Sequence, residues 1–277
     1  TASSTNIATS GTFQSTAPPQ DNAYLAQFLS TGVRLWGTYF GGIYSDQGYA
    51  VAVDDSGNPY LAGATTSPGL ATSGAFQMTN KLGPRDLMLA KFNPTNGSLA
   101  WATYYGGTAG EDEPRLVGQG NKIYLCCYTS SDNSSLTTTV GTHQANSAGL
   151  LDTHLAEFSS TGTRNWATYY GGPSDDIVNA IDIDCYGEIY LCGRTSSGTG
   201  IATTGSFQTT ISGGFDAFLA KFNSTGTLAW GTYFGASSAD NFWSVSAVGN
   251  DQLFVSGSTS STTGISTAGT YQPAYAG

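Results

Sequence analysis

The chain has 277 residues, enough to bury a sizeable core as one or two domains, and is rich in Gly (37), Tyr (16) and Phe (13) with only 10% charged residues. Its net charge of −10, with nine Lys and Arg scattered singly, argues against nucleic acid and anionic membranes as partners, because both require clustered cations. No apolar run approaches the ~20 residues that cross a bilayer, and no window keeps the i, i+3, i+4, i+7 spacing of an amphipathic helix, so an all-β chain is expected.

In chain order, the first stretch, TASSTNIATSG, lacks the charged and apolar regions of a signal peptide; an exported protein would be seen here in processed form or as an excised part. ATSGTFQ (Ala8–Gln14) introduces a motif that returns later. A strand-like AYLAQF (Ala23–Phe28) leads through a TG turn into RLWGTYFGG (Arg34–Gly42), where Trp36, Thr38 and Phe40 face one way and Gly37 and Tyr39 the other. Bulk on both faces predicts a strand sandwiched between sheets. The alternating GYAVAVD (Gly48–Asp54) follows, then a DSGN turn (Asp55–Asn58) and PYLAGAT (Pro59–Thr65); Gly and Asn supply the positive φ a hairpin needs. A Ser/Thr/Gly connection holding SGAFQ leads to LMLAKF (Leu87–Phe92), and the sequence then repeats.

Trp36, Trp101, Trp166 and Trp230 are separated by 65, 65 and 64 residues and mark the repeat core. The fourth-strand copies are LAWATYYGG, RNWATYYGG and LAWGTYFGA; the first-strand copies are NAIDID (Asn179–Asp184) and SVSAV (Ser244–Val248). In the second copy LVGQGNKIYL is one residue shorter than VAVDDSGNPYL and lacks its Asp, which predicts a distorted hairpin. Four antiparallel strands per repeat, each sheet packing face to face on the next, define a β-propeller; a linear β-solenoid is the weaker reading, since its coils repeat at roughly 20–30 residues. DAFLAKFNSTGTLAWGTYFG (Asp216–Gly235), with AVAVDDSGNPYLAGATTS, resembles the bacterial β-propeller repeat family called SBBP over almost the whole chain. That resemblance implies an exported bacterial surface or extracellular protein and carries no catalytic signature.

The expected blades are 48–105, 113–170, 178–235, and 242–259 completed by 23–42, all in one propeller domain 1–277 flanked by connection or assembly segments 1–22 and 260–277. The last blade is thus shared between N- and C-terminal strands, within one chain or between subunits, so no sheet edge is left open. A closed ring of four needs four copies of the connection motif; five are present, counting Ala8–Gln14 and STAGTYQ (Ser266–Gln272). The surplus points to a longer array or to strands exchanged between molecules, giving a head-to-tail polymer.

Chemistry is sparse. His143 and His154 replace bulky repeat residues, and no nucleophile elbow or phosphate loop is present, so no catalytic residues and no enzyme activity are assigned. An acid stands four residues after each GG or GA pair: Asp46, Glu111, Asp176 and Asp240. Such a series could ring a channel mouth and bind Ca²⁺ as the one candidate cofactor, or each acid could fix its own loop through backbone N–H groups; recurrence in every blade favours the structural role. Cys126 and Cys192 sit at small buried strand positions, and Cys127 with Cys185 is a candidate disulfide between neighbouring repeats, against the alternative of buried thiols. Sequons at Asn96, Asn133 and Asn223 are candidate glycosylation sites. Trp243, outside the repeated motif, reads as packing. The leading reading is a secreted, non-enzymatic structural or adhesive repeat protein that self-assembles into a filament or surface layer by half-blade complementation; the alternative is a lectin-like, glycan- or ligand-binding propeller module.

Overall fold

The computed structural model describes residues 6–81, 83–248 and 252–275; the ends of the two expected connection segments, 1–5 and 276–277, lie outside the described residues. All regular structure among the described residues is strand. Sixteen strands run in chain order: β1 (Ala23–Phe28), β2 (Arg34–Phe40), β3 (Asp46–Val53), β4 (Pro59–Thr65), β5 (Asp86–Phe92), β6 (Leu99–Tyr105), β7 (Glu111–Gln119), β8 (Lys122–Thr129), β9 (Asp152–Ser159), β10 (Arg164–Tyr170), β11 (Asp176–Ile183), β12 (Ile189–Thr195), β13 (Asp216–Phe222), β14 (Leu228–Phe234), β15 (Asp240–Val248) and β16 (Gln252–Thr259). They form three four-stranded sheets, β3-β4-β5-β6, β7-β8-β9-β10 and β11-β12-β13-β14, and two two-stranded sheets, β1-β2 and β15-β16. Antiparallel four-stranded sheets recurring at the tryptophan period are the blades of a β-propeller. Each begins two residues earlier than the sequence suggests, because the acid of the series joins the ladder: Asp46 pairs with Thr65 and Asp176 with Thr195.

Local chemistry explains the strands. Alternating Val, Ile, Leu and aromatic residues fit a pleat buried on both faces, and Gly at positive φ closes the hairpins, as at Gly57 (φ 78°) and Gly187 (φ 83°). The inner strands carry a bulge between Gly48 and Ala50, Val178 and Ala180, and Phe242 and Ser244, which turns Tyr49, Asn179 and Trp243 out of the ladder. In the shortened second hairpin Gly120 (φ 60°) and Asn121 form a two-residue turn, and Glu113 within β7 has a positive φ of 49°.

The chain divides into two compact units. The first runs to Leu125 and adds Ser134–Leu136 and Ala156–Asn165; the second holds Cys126–Asn133, Thr137–Leu155 and everything from Trp166 onward. In the first, Leu25, Trp36, Phe40, Leu61, Met88 and Phe92 share one core. Trp36 of β2 donates from Nε1 to the Pro94 carbonyl (2.9 Å), in the turn between β5 and β6, and Trp101 donates likewise to Ser160 (3.0 Å). In the second unit Trp166 donates to Ser224 (3.1 Å), in the β13–β14 turn. Each indole thus ties one repeat to the corresponding turn of the next, so packing and hydrogen bonding repeat together.

Candidate functional site

The acid series is built into the start of the blades. Asp46 accepts from the Gly42 amide (2.7 Å), the Ser67 hydroxyl (2.9 Å) and Thr65 (2.5 Å). Asp176 repeats this with Gly172 (2.7 Å), Ser197 (2.8 Å) and Thr195. Asp240 takes bonds from Ala236 (2.8 Å) and Ser261 (2.9 Å), and Glu111 from the Gly107 amide (3.0 Å). All four acids are buried. Burial raises the pKa of Asp46, and that of Asp176 to about 6, against the lowering effect of these donors. The Thr and Ser partners come from a T-x-S step after the second strand of every repeat (Thr65–Ser67, Thr129–Ser131, Thr195–Ser197, Thr259–Ser261), a periodic signal that sequence reasoning passed over as loop composition. The acids stand one to a repeat, and among the described residues no three His, Cys, Asp or Glu side chains are grouped to hold a metal ion. Around each acid the geometry supplies a buried lock between the bend that precedes it and the end of the second strand.

A second polar set, missed from sequence, lies at the opposite end of the strands. Asp54 accepts from the Ser56 and Asn58 amides and from the Tyr60 hydroxyl (2.9 Å), and Lys91 approaches it at 3.4 Å. Burial opposes the charge on Asp54, but Asn58, Tyr60 and Lys91 outweigh it and hold its pKa below the ordinary value. The third sheet repeats the set with Asp184, Tyr190 and Lys221, the lysine reaching Glu188 at 3.5 Å. In the second sheet the charges are exchanged: Glu157 fills the lysine position and is answered by Lys122 at 2.9 Å. The loss of the hairpin Asp there is thus compensated, which only the cross-strand register of Tyr60 opposite Lys91 makes visible.

The remaining sequence candidates are placed as follows. His143 packs on Tyr170 and Phe222 with centroids 5.9 Å away, and burial lowers its pKa; His154 sits edge-on to Tyr169 at 4.7 Å. Cys127 and Cys185, the candidate disulfide, are free thiols: Cys127 is buried within β8 whereas Cys185 is exposed in the turn after β11. Cys126 and Cys192 are buried thiols, and burial pushes that of Cys192 up to about 12. The sequon residues act in turns: Asn96 Oδ1 accepts from the Ser98 amide, Asn133 from Thr138, and Asn223 from Thr225 and Thr227. Asn96 is exposed and the other two are half-buried. Trp243 is not packed as expected; it is 56% exposed and its Nε1 donates to Ser258, whereas Asn179, at the same bulge of β11, is buried against Asn241 and Phe242.

The two-stranded sheets are the least completed parts of the fold. β1 is hydrogen-bonded to β2 alone and β16 to β15 alone. Beside β1, a groove of about 670 Å³ is lined by Tyr24, Leu25, Gln47, Tyr49, Val51 and Leu61. The N-terminal connection motif is seated on β2, with Thr9 donating to Gly37 and Tyr39 to Gln14, as Thr72 and Gln77 are seated on β6. The C-terminal copy bonds only to itself among the described residues, through Thr270 to Thr267 and Ser266 to Pro273.

These features define a repeat protein of the β-propeller class. The sequence profile of the SBBP β-propeller repeat matches residues 35–69 and 165–201 of this chain. A comparison with curated proteins found no match. Among solved structures, a protein of unknown function from Bacteroides caccae is 12% identical with a TM-score of 0.18, covering 80% of this chain and 99% of that one. No helix among the described residues is long and apolar enough to cross a membrane.

Proposed function

We propose that this chain is a non-enzymatic, extracellular structural or adhesive module that joins copies of itself by completing half-blades. The observation that carries the reading is the pair of two-stranded sheets: β1 and β16 each leave one edge of backbone donors and acceptors unpaired in a fold whose other blades have four strands. Strand addition at such an edge gives affinity through main-chain bonds and specificity through alternate side chains. A low-charge, Gly/Ser/Thr-rich composition and the implication of the SBBP repeat support a place outside the cell. Light scattering behind size exclusion, with negative-stain microscopy, tests it. Concentration-dependent, head-to-tail particles are expected; a monodisperse monomer at every concentration overturns the reading. Exposed Trp243 favours one alternative, a glycan- or ligand-binding propeller, for which a glycan array giving a Trp243-dependent signal would be the deciding result.

A further inference from the structure

We propose that the partner of the β16 edge is β1 of a second copy of this chain, paired in a single register that sets Thr259 opposite Asn22, Gly257 opposite Tyr24 and Phe254 opposite Gln27. The inference rests on the assembly reading above and adds its partner surface and register. It follows from comparing the two half-blades, position by position, with the intact sheets.

In the intact sheets the second and third strands pair with Thr65 opposite Asp86, Gly63 opposite Met88 and Tyr60 opposite Lys91, and again with Thr195 opposite Asp216, Gly193 opposite Phe218 and Tyr190 opposite Lys221. The equivalents in the half-blades are Thr259, Gly257 and Phe254 on β16, and Asn22, Tyr24 and Gln27 at β1. The residues that this pairing would cover are uncovered here. Tyr24 is 52% exposed where Met88, His154 and Phe218 are all 0%, and Phe254 is 61% exposed where Tyr60 is 0% and Tyr190 3%. At Gly63 and Gly193 an added Cβ would meet first the Gln47 and Ile177 carbonyl oxygens at 2.0 Å and then the Met88 Cε at 2.6 Å and the Phe218 ring at 3.0 Å; at Gly257 it would meet the Asn241 carbonyl oxygen at 1.9 Å, so all three sheets need glycine there and all three leave the facing third-strand side chain room beside it.

The polar sets are matched as well. Intact blades carry Asp–Tyr–Lys (Asp54, Tyr60, Lys91) or its charge-exchanged form, and the two half-blades lack every member at once: Val248 stands for the Asp, Phe254 for the Tyr and Gln27 for the Lys. A lysine at 27 facing Val248 and Phe254 would be a half-buried cation without the counter-charge that Asp54 gives Lys91. The neutral halves fit each other and misfit the charged strands.

A third vacancy lies at the neighbouring turn. Gly97, Gly162 and Gly226 each lie under a tryptophan, Trp36, Trp101 and Trp166, whose rings would be 2.7, 3.1 and 2.7 Å from an added Cβ. Gly32, their equivalent after β1, has nothing within 4 Å of such an atom, while Trp230 alone of the four indoles makes no Nε1 hydrogen bond among the described residues. Phe28 shows the same shortage: it is 58% exposed, whereas Phe92, Phe158 and Phe222 are 0% and each meets two rings of the preceding repeat. Its missing neighbours are Phe207, which is 79% exposed, and Phe234. One molecule's β14 and β15–β16 thus offer what another's β1–β2 requires.

Paired cysteines test this in a Cys185→Ser background, the other three thiols being buried. Val255→Cys in one preparation is mixed with Ala26→Cys in another under mild oxidation, since Leu61 opposite Ala90 makes these two direct partners. A covalent heterodimer is expected, and none when Leu253→Cys replaces Val255→Cys as a two-residue slip. Association by light scattering with the slipped pair linked, or with no link, overturns the register while leaving the assembly reading intact. No association overturns both. A chain carrying Ala26→Cys and Val255→Cys together that closes only on itself overturns the second copy as partner. Because a cysteine could disturb the edge, Gln27→Lys provides a separate measure: association is expected to weaken by about tenfold or more and to recover when the second copy carries Val248→Asp. An unchanged affinity overturns the matching of the polar sets.

Discussion

Trp166 and Trp230 hold the same place in successive repeats, and truncating each in turn weighs the indole that ties one repeat to the next. Trp166 is 7% exposed, donates to the Ser224 carbonyl at 3.1 Å, and lies on Gly226, held at φ 78°. Trp166→Ala removes a buried aromatic, about 3–5 kcal/mol for lost burial and the cavity. It also strips a donor from the Ser224 carbonyl, about 1 kcal/mol more. At roughly 2–4 °C per kcal/mol for a chain of this order of size, Tm is expected to fall by on the order of 10 °C or more. Trp166→Phe, which keeps most of the ring and loses the N–H, is expected to cost about 1–2 kcal/mol. Trp230 is only half-buried and makes no indole hydrogen bond among the described residues, so Trp230→Ala in dilute protein is expected to cost less than half as much as Trp166→Ala. Near-UV circular dichroism melts, run below the concentration at which scattering detects association, measure both. Equal losses at the two positions would refute the reasoning that the indole acts through the next repeat.

The acid lock predicts a pH dependence whose sign follows from burial. Asp176 is raised from 3.8 in the unfolded chain to about 6, so the folded state holds its proton more tightly, and the stability this contributes is present below about pH 4 and lost as pH rises through 6. Calorimetric melts of wild type against Asp176→Asn are expected to converge on the acid side and diverge toward neutrality, by on the order of 3 kcal/mol in the pH-dependent part; parallel curves would discount the lock. Gly226→Ala, which drives a Cβ into Trp166 at positive φ, is expected to destabilise by about 2–4 kcal/mol, against about 1 kcal/mol for Gly32→Ala at the uncovered turn, both read from denaturant midpoints. Glu157→Lys sets a like charge beside Lys122 and is expected to cost about 1–3 kcal/mol, discounted because Lys122 is 45% exposed; adding Lys122→Glu is expected to recover at least about 1 kcal/mol in a double-mutant cycle.

The repeat and its four-strand plan are legible because the features that build them are local. Tryptophans at a constant period, Gly–Asn turns and alternating apolar runs locate every strand to within a few residues. Features that depend on register are not. Lys91 and Asp54 are 37 residues apart in sequence, and only the β4–β5 pairing brings the lysine beside the hairpin acid. The acids were visible, but their partners were hidden in a Ser/Thr-rich connection where T-x-S is one short match among many. Trp243 is exposed although Asn179, at the same bulge of β11, is buried against β15; the difference lies in what packs on the bulge, which no local sequence signal announces. Cys127 and Cys185 fall in neighbouring repeats, yet one lies mid-strand and the other at a hairpin tip.

Three solutions occupy the one polar position, and their differences have a physical use. The blades share a backbone plan, so the main-chain ladder alone would let β16 add to any free third-strand edge with similar affinity. The side chains opposite Tyr60, Tyr124, Tyr190 and Phe254 are what separate right pairings from wrong ones. Set against a strand of the Lys91 or Lys221 type, Phe254 and Val248 would bury an ammonium group without the carboxylate it uses now; against a strand of the Glu157 type they would bury a carboxylate without Lys122. Either mismatch subtracts from the gain of the backbone hydrogen bonds, about 1 kcal/mol each, and does so most for the buried Glu157 type and less for the half-buried lysines. Against Gln27 that penalty is absent, because an amide stays neutral and needs no counter-charge. On the proposed pairing, specificity at this edge would come from the cost imposed on wrong partners, because this is the position at which β1 and β16 carry no charged group.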